Sequence, residues 1–192
     1  MAKLHLALDA EADEMLSADP LALLIGMLLD QQIPLERAFV APYRLAQRLG
    51  VRRLEAAHLA DLDPEALVQI FSAQPALHRF PGAMAARVQA MCRLVRDEYG
   101  GDAAAVWRGA RTGAELVKRI GALPGFGVQK AQIFAALLGK QLGVRPEGWR
   151  EATGEFGQDA TYRSVADIVD DESLGRVREY KKQMKAAARA KG

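Results

Sequence analysis

The sequence holds a single cysteine, Cys92, which excludes an internal disulfide framework and any cysteine-built zinc or iron-sulfur site supplied by this chain alone. That scarcity points to a reducing, cytoplasmic setting. Long apolar runs are also missing: ALLIGMLL, 22–29, is eight residues, less than half of the ~20 that a spanning helix needs, so no membrane partner is expected. The opening MAKLHLALDAEADEML lacks the apolar stretch of a secretory signal. The three histidines stand apart from any acidic or cysteine cluster of metal-ligand spacing, and no metal site is expected. No six-residue stretch alternates as a half-buried strand does, no domain-length repeat occurs, and no low-complexity linker divides the chain.

What remains is helical periodicity along nearly the whole length. Asp19-Pro20 and Asp63-Pro64 are helix openings, each with an aspartate cap and a proline at the first helical position, where its missing N–H does no harm. The first of these helices runs through LALLIGMLLDQQ toward Pro34. LERAFVAPYRLAQRLG is a second helix that stops at Gly50, with Pro42 either kinking or dividing it. SAQPALHRFPG reads as a loop. From Ala83 an amphipathic helix places Met84, Val88, Met91, Cys92 and Val95 on its apolar side, and the lone thiol is read as a small core hydrophobe. Thr112, with Glu115 three residues on, opens another helix whose apolar face is Leu116, Ile120 and Leu123. A short helix follows Pro146, and a longer one spans the tail.

Charge is unevenly spread. From Arg176 to Gly192 there are seven Lys or Arg residues against one acid, so the tail carries +6 and the rest of the chain −4. Such a segment either attracts a polyanion or only solvates the chain end.

The stretch LPGFG, 123–127, brackets one aromatic with two glycines directly after a proline, and helical sequence resumes at once as VQKAQIFAALLGKQLG. It reads as a helix-hairpin-helix turn. Glycine backbones admit close approach of another surface, and the unpaired amides opening the second helix suit a phosphate without reading any base. The alternative is an ordinary connector between two packed helices.

LLIGMLLDQQIP (23–34), FPGAMAARVQAMCRLVRDEYGG and LVKRIGALPGFGVQKAQIFAALL occur in an order that resembles the helix-hairpin-helix DNA glycosylase superfamily, including its endonuclease III and alkylbase glycosylase branches, over roughly 21–150. The resemblance implies an all-α, two-lobed fold, divided here as 1–25 packing with the C-terminal lobe, 26–130 containing the hairpin, and 131–192. It implies a monomer that binds double-stranded DNA carrying a damaged or mismatched base and turns the target nucleotide out of the stack. No cofactor is required, although a monovalent cation can sit at the DNA-bound hairpin. On that reading the DNA-binding residues are Gln32, Leu123, Gly125, Phe126, Gly127, Gln129, Lys130 and Trp149, the last able to stack on a base or to anchor a short helix; His78 lies in a loop facing the DNA.

The catalytic pattern departs from the family. Gln129 stands where bifunctional members carry the Schiff-base lysine, so lyase chemistry is not expected. One alignment of VRPEGWR puts Arg145 at the family aspartate, and another puts Glu147 there, which makes Glu147 the candidate catalytic carboxylate. The function implied is a monofunctional N-glycosylase, or a noncatalytic lesion-binding protein on the same scaffold. The cysteine loop that holds an iron-sulfur cluster in some branches has no counterpart.

Overall fold

A computed structural model describes residues 3–191, and among them there are eleven α-helices, two short 3-10 turns and no strand. Met1, Ala2 and Gly192, which belong to the expected 1–25 and 131–192 segments, lie outside the described residues. The helices are α1 (Ala10–Ala18), α2 (Pro20–Leu29), α3 (Leu35–Leu49), α4 (Ala56–Asp61), α5 (Pro64–Ser72), α6 (Pro81–Tyr99), α7 (Ala105–Arg108), α8 (Gly113–Gly121), α9 (Val128–Gln141), α10 (Trp149–Thr153) and α11 (Asp171–Ala190). The chain is all-α.

Helix starts follow local chemistry. Asp19 accepts from the Leu21 and Ala22 amides, Asp63 from Ala66, and Thr112 from Glu115, each satisfying a donor that the helix itself leaves open. Pro42 lies inside α3 without dividing it, and α3 ends on Gly50 in the left-handed conformation, φ 68°.

All positions of α2 after Pro20 are buried, as an all-round apolar helix requires. It packs on α1 and α3, while α4 and α5 cover α6. In the second half, α8 and α9 pack together, α10 wedges against both, and α7 covers α8; α11 joins through the 3-10 turn Val165–Asp167 seated on α9. A continuous apolar core runs through both groups.

The expected boundary at 130/131 falls within the first turn of α9, and the hairpin helices pack on α7 and α10. The change of partners comes after α6, where Gly100 and Gly101 take φ of 60° and 81°. In the N-terminal segment, expected to pack with the C-terminal lobe, α1 lies on α2 and α3, and His5 reaches Asp171 at the head of α11 (Nε2 to Oδ1, 2.9 Å). A buried ion pair, Lys140 Nζ to Asp167 Oδ1 at 2.6 Å, fixes α9 to the Val165–Asp167 turn, and Asp167 also accepts from the Arg163 amide.

Candidate nucleic-acid interface

The turn between α8 and α9 is built from two kinds of residue. Leu123 and Phe126 are buried, and Phe126 packs on Phe134 with ring centroids 6.2 Å apart. They anchor the turn to the core, so the side chains of Leu123 and Phe126, expected among the DNA contacts, present no free face. Gly125 has φ +86°, and a Cβ there would meet Leu28 Cγ and Cδ1 at 3.2 Å; the close approach it permits is to the end of α2, not to a ligand. Gly127 differs: it is exposed, its φ is −87°, and a Cβ there would meet nothing within 4 Å. No side chain caps α9, and among the described residues no acceptor is supplied to the amides of Val128, Gln129 and Lys130. Val128 is 74% exposed and Gln129 is exposed beside it. The open face of the turn is therefore backbone.

Lys130 does not point into that opening. Its ammonium donates to the carbonyls of Met27 (2.8 Å), Leu28 (3.2 Å) and Asp30 (3.1 Å), three donors for three acceptors. It caps the C-terminus of α2, where a positive charge is favoured. Burial brings its pKa down to about 8, opposed by the Asp30 carboxylate. The Lys130 side chain, expected beside a phosphate, here fastens the hairpin to the loop 30–33.

That loop is held from every side. His78 Nδ1 accepts from the Phe80 amide at 3.0 Å, so its Nε2–H is left to donate to the Gln31 carbonyl at 2.9 Å. Only the neutral ring satisfies both, in keeping with a pKa lowered by burial. Gln31 donates to the Leu28 carbonyl and accepts from Arg87. Thus braced, exposed Gln32 holds φ +58°, an uncommon conformation for a side-chain-bearing residue that tends to cluster at functional sites. Next to His78, Phe80 is 43% exposed with the Arg79 guanidinium 5.2 Å from its ring centre.

Glu147 and Trp149 lie elsewhere. The Glu147 carbonyl accepts from the Gly113 amide at 2.7 Å, which places it at the start of α8, while LPGFG is at its end. Nine residues of helix, ~13 Å, separate the two, so the exposed Glu147 is not brought to the turn. Trp149 is 8% exposed, its ring occupying the space where a Cβ on Gly139 would sit, 2.5 Å away. It anchors α10 in the seam of α8 and α9 and presents no face for stacking on a base.

Two features carry weaker sequence signals. Asp30, which ends the apolar run LLIGMLLD, lines a cavity of about 550 Å³ between α11 and the loop 30–34 with the start of α3. The far wall includes Leu174, Val177, Arg178 and Lys181. On α11, Arg178, Lys181, Lys182, Lys185 and Arg189 fall within a ~100° arc at 100° per residue, and every residue from Lys181 to Lys191 is exposed. A cationic stripe therefore runs from the cavity rim out along an uncovered helix.

Among the described residues, no three His, Cys, Asp or Glu gather in a manner suited to a metal ion, and no helix is long and apolar enough to cross a membrane. No family model matches the chain, and no curated protein matches its sequence.

Proposed function

We propose that this chain is a double-stranded DNA-binding protein of the helix-hairpin-helix glycosylase kind, a monomeric N-glycosylase that releases a damaged or mismatched base by hydrolysis. The observation that carries the reading is the junction at Lys130. Through it, the open amides of α9 are fastened to the loop bearing Gln32, and the cavity beside Asp30 continues into the cationic stripe of α11.

Each part has a physical role toward a duplex. The amides of 128–130 and the positive end of α9 receive a phosphate without reading sequence. The stripe neutralises further phosphates. Gln32 and the exposed ring of Phe80 enter the gap left by a displaced base, the aromatic as a wedge. A monovalent cation fits the same turn, because the Pro124 and Gly125 carbonyls accept no hydrogen bond among the described residues and are hard oxygen donors. Lyase chemistry is not expected: Gln129 has no amine, and all three N–H groups of Lys130 are engaged.

The second reading, a noncatalytic lesion-binding protein, is favoured by one observation, the distance of Glu147 from the turn. Fluorescence anisotropy with undamaged and abasic-analogue duplexes tests the shared premise. Binding is expected to weaken steeply as salt rises, and failure to bind either duplex at low salt would sink both readings. Base release from lesion duplexes, revealed by alkaline strand cleavage, separates them.

A further inference from the structure

We propose that the cavity between the end of α2 and α11 receives a nucleoside turned out of the duplex, and that Asp30 is the carboxylate acting on its glycosidic bond. The inference rests on the glycosylase reading.

The structural reasons that usually place an aspartate do not apply to Asp30. It stands at the C-terminal end of α2, where the helix dipole disfavours an acid, and the cap there is made by its backbone N–H to the Gly26 carbonyl, not by its side chain. No hydrogen-bond donor reaches its carboxylate among the described residues, and no ion pair engages it, although the half-buried side chain lines the cavity. Burial pushes its pKa up, while the charges of Lys181 and Lys130 pull it back. An acid at the disfavoured helix end, unpaired among the described residues and lining an opening, is explained by chemistry in that opening.

The cavity suits the ligand. Its ~550 Å³ falls within the usual range for small-molecule sites, ~300–1,000 Å³. Ile33, Leu174 and Val177 give apolar walls for the faces of a base, and Arg178 and Lys181 stand at the rim, where the flanking phosphates would arrive. Glu36 is already engaged by Arg178 at 2.9 Å, which leaves Asp30 as the unpaired acid of the cavity.

In the reaction, the C1′–N bond breaks and its electron pair leaves with the base. The ionised Asp30 stabilises the positive charge developing on the sugar. A water oxygen bonds to C1′, its proton passes to Asp30, and Asp30 returns that proton to the departing base nitrogen. The carboxylate is regenerated, and nothing is oxidised or reduced.

The test uses the full chain and single-turnover base release from duplexes carrying uracil, oxidised, alkylated or mismatched bases. Asp30→Asn is expected to lower release by about 100-fold or more, the scale of losing a group that stabilises transition-state charge, with duplex affinity and melting temperature unchanged. Asp30→Glu is expected to restore part of the rate. The wild-type rate should rise with pH through the elevated pKa of Asp30, and Asp30→Asn should flatten that rise; of the other groups facing Asp30, Lys130, Lys181, Arg178 and Glu36, only Glu36 is an acid, and Glu36→Gln should leave the profile in place. Ile33→Trp, which fills the cavity from the loop, should abolish the brightening of a 2-aminopurine at the lesion, a signal Asp30→Asn should retain. Undiminished release by Asp30→Asn would overturn the role of Asp30 and leave the glycosylase reading intact. Duplex binding by the wild type with no base released from any substrate would overturn the catalytic inference, and absence of duplex binding would overturn the reading beneath it.

Discussion

Gly125 and Gly127 are separated by one residue, yet substitution with alanine is expected to damage different properties. At Gly125, alanine must adopt φ +86°, at a cost of about 1–2 kcal/mol. Its methyl also meets Leu28 at 3.2 Å, and overpacking of this kind costs about 1–3 kcal/mol. The sum, about 2–5 kcal/mol, corresponds to a fall in Tm of roughly 4–20 °C for a chain of this size. At Gly127 the backbone is already one that alanine adopts and no atom lies within 4 Å. A gain of about 0.4–1 kcal/mol from a stiffer unfolded chain offsets the modest loss of glycine at a helix N-cap, so Tm should barely move. Gly127→Ala instead places a methyl before the open amides of α9 and should weaken duplex binding about tenfold, or 1.4 kcal/mol. Thermal melts and anisotropy titrations on both variants decide the matter. Wild-type affinity and salt slope in Gly127→Ala would refute the claim that a phosphate meets these amides.

Exchanging Lys182, Lys185 and Arg189 together for Gln should leave Tm unchanged, because all three side chains are exposed and lie beyond the last buried residue of α11. The same variant should flatten the slope of log K against log salt by about 2.7 if each cation meets a phosphate. Lys140→Met strips the partner from buried Asp167 and should cost about 3–5 kcal/mol, read as a lower denaturation midpoint in urea. Glu147→Gln should change neither duplex affinity nor base release, since the side chain is exposed at the opposite end of α8 from the turn; a lost rate would restore Glu147 as the catalytic acid.

Helices whose start is written by a cap and whose face is written by periodicity are legible in the sequence: α2, α5 and α8 begin beside Asp19, Asp63 and Thr112, and Met84, Val88, Met91, Cys92 and Val95 are all buried. The end of α2 is less so. LLDQQIP continues a helical pattern, yet the helix stops at Leu29 because Lys130, a hundred residues further along, caps its carbonyls. For the same reason Lys130 resembles a free cation in sequence and is a bound one in the fold. Trp149 is open to either of two roles in sequence because an aromatic in a polar setting signals burial and exposure alike; the space left by Gly139 decides for it. Asp30 gives only the weak signal of an acid ending an apolar run, because its position acquires meaning only when α11, from the far end of the chain, closes the cavity around it.

Both tryptophans are sealed in the interior, Trp149 against Gly139 and Trp107 edge-on to Phe134 at 5.6 Å. Intrinsic emission should therefore be that of a dry indole and should report unfolding faithfully while remaining blind to a duplex docking at the turn. A fluorophore introduced at Phe80, whose ring is already in solvent, would make the same optical measurement sensitive to occupancy.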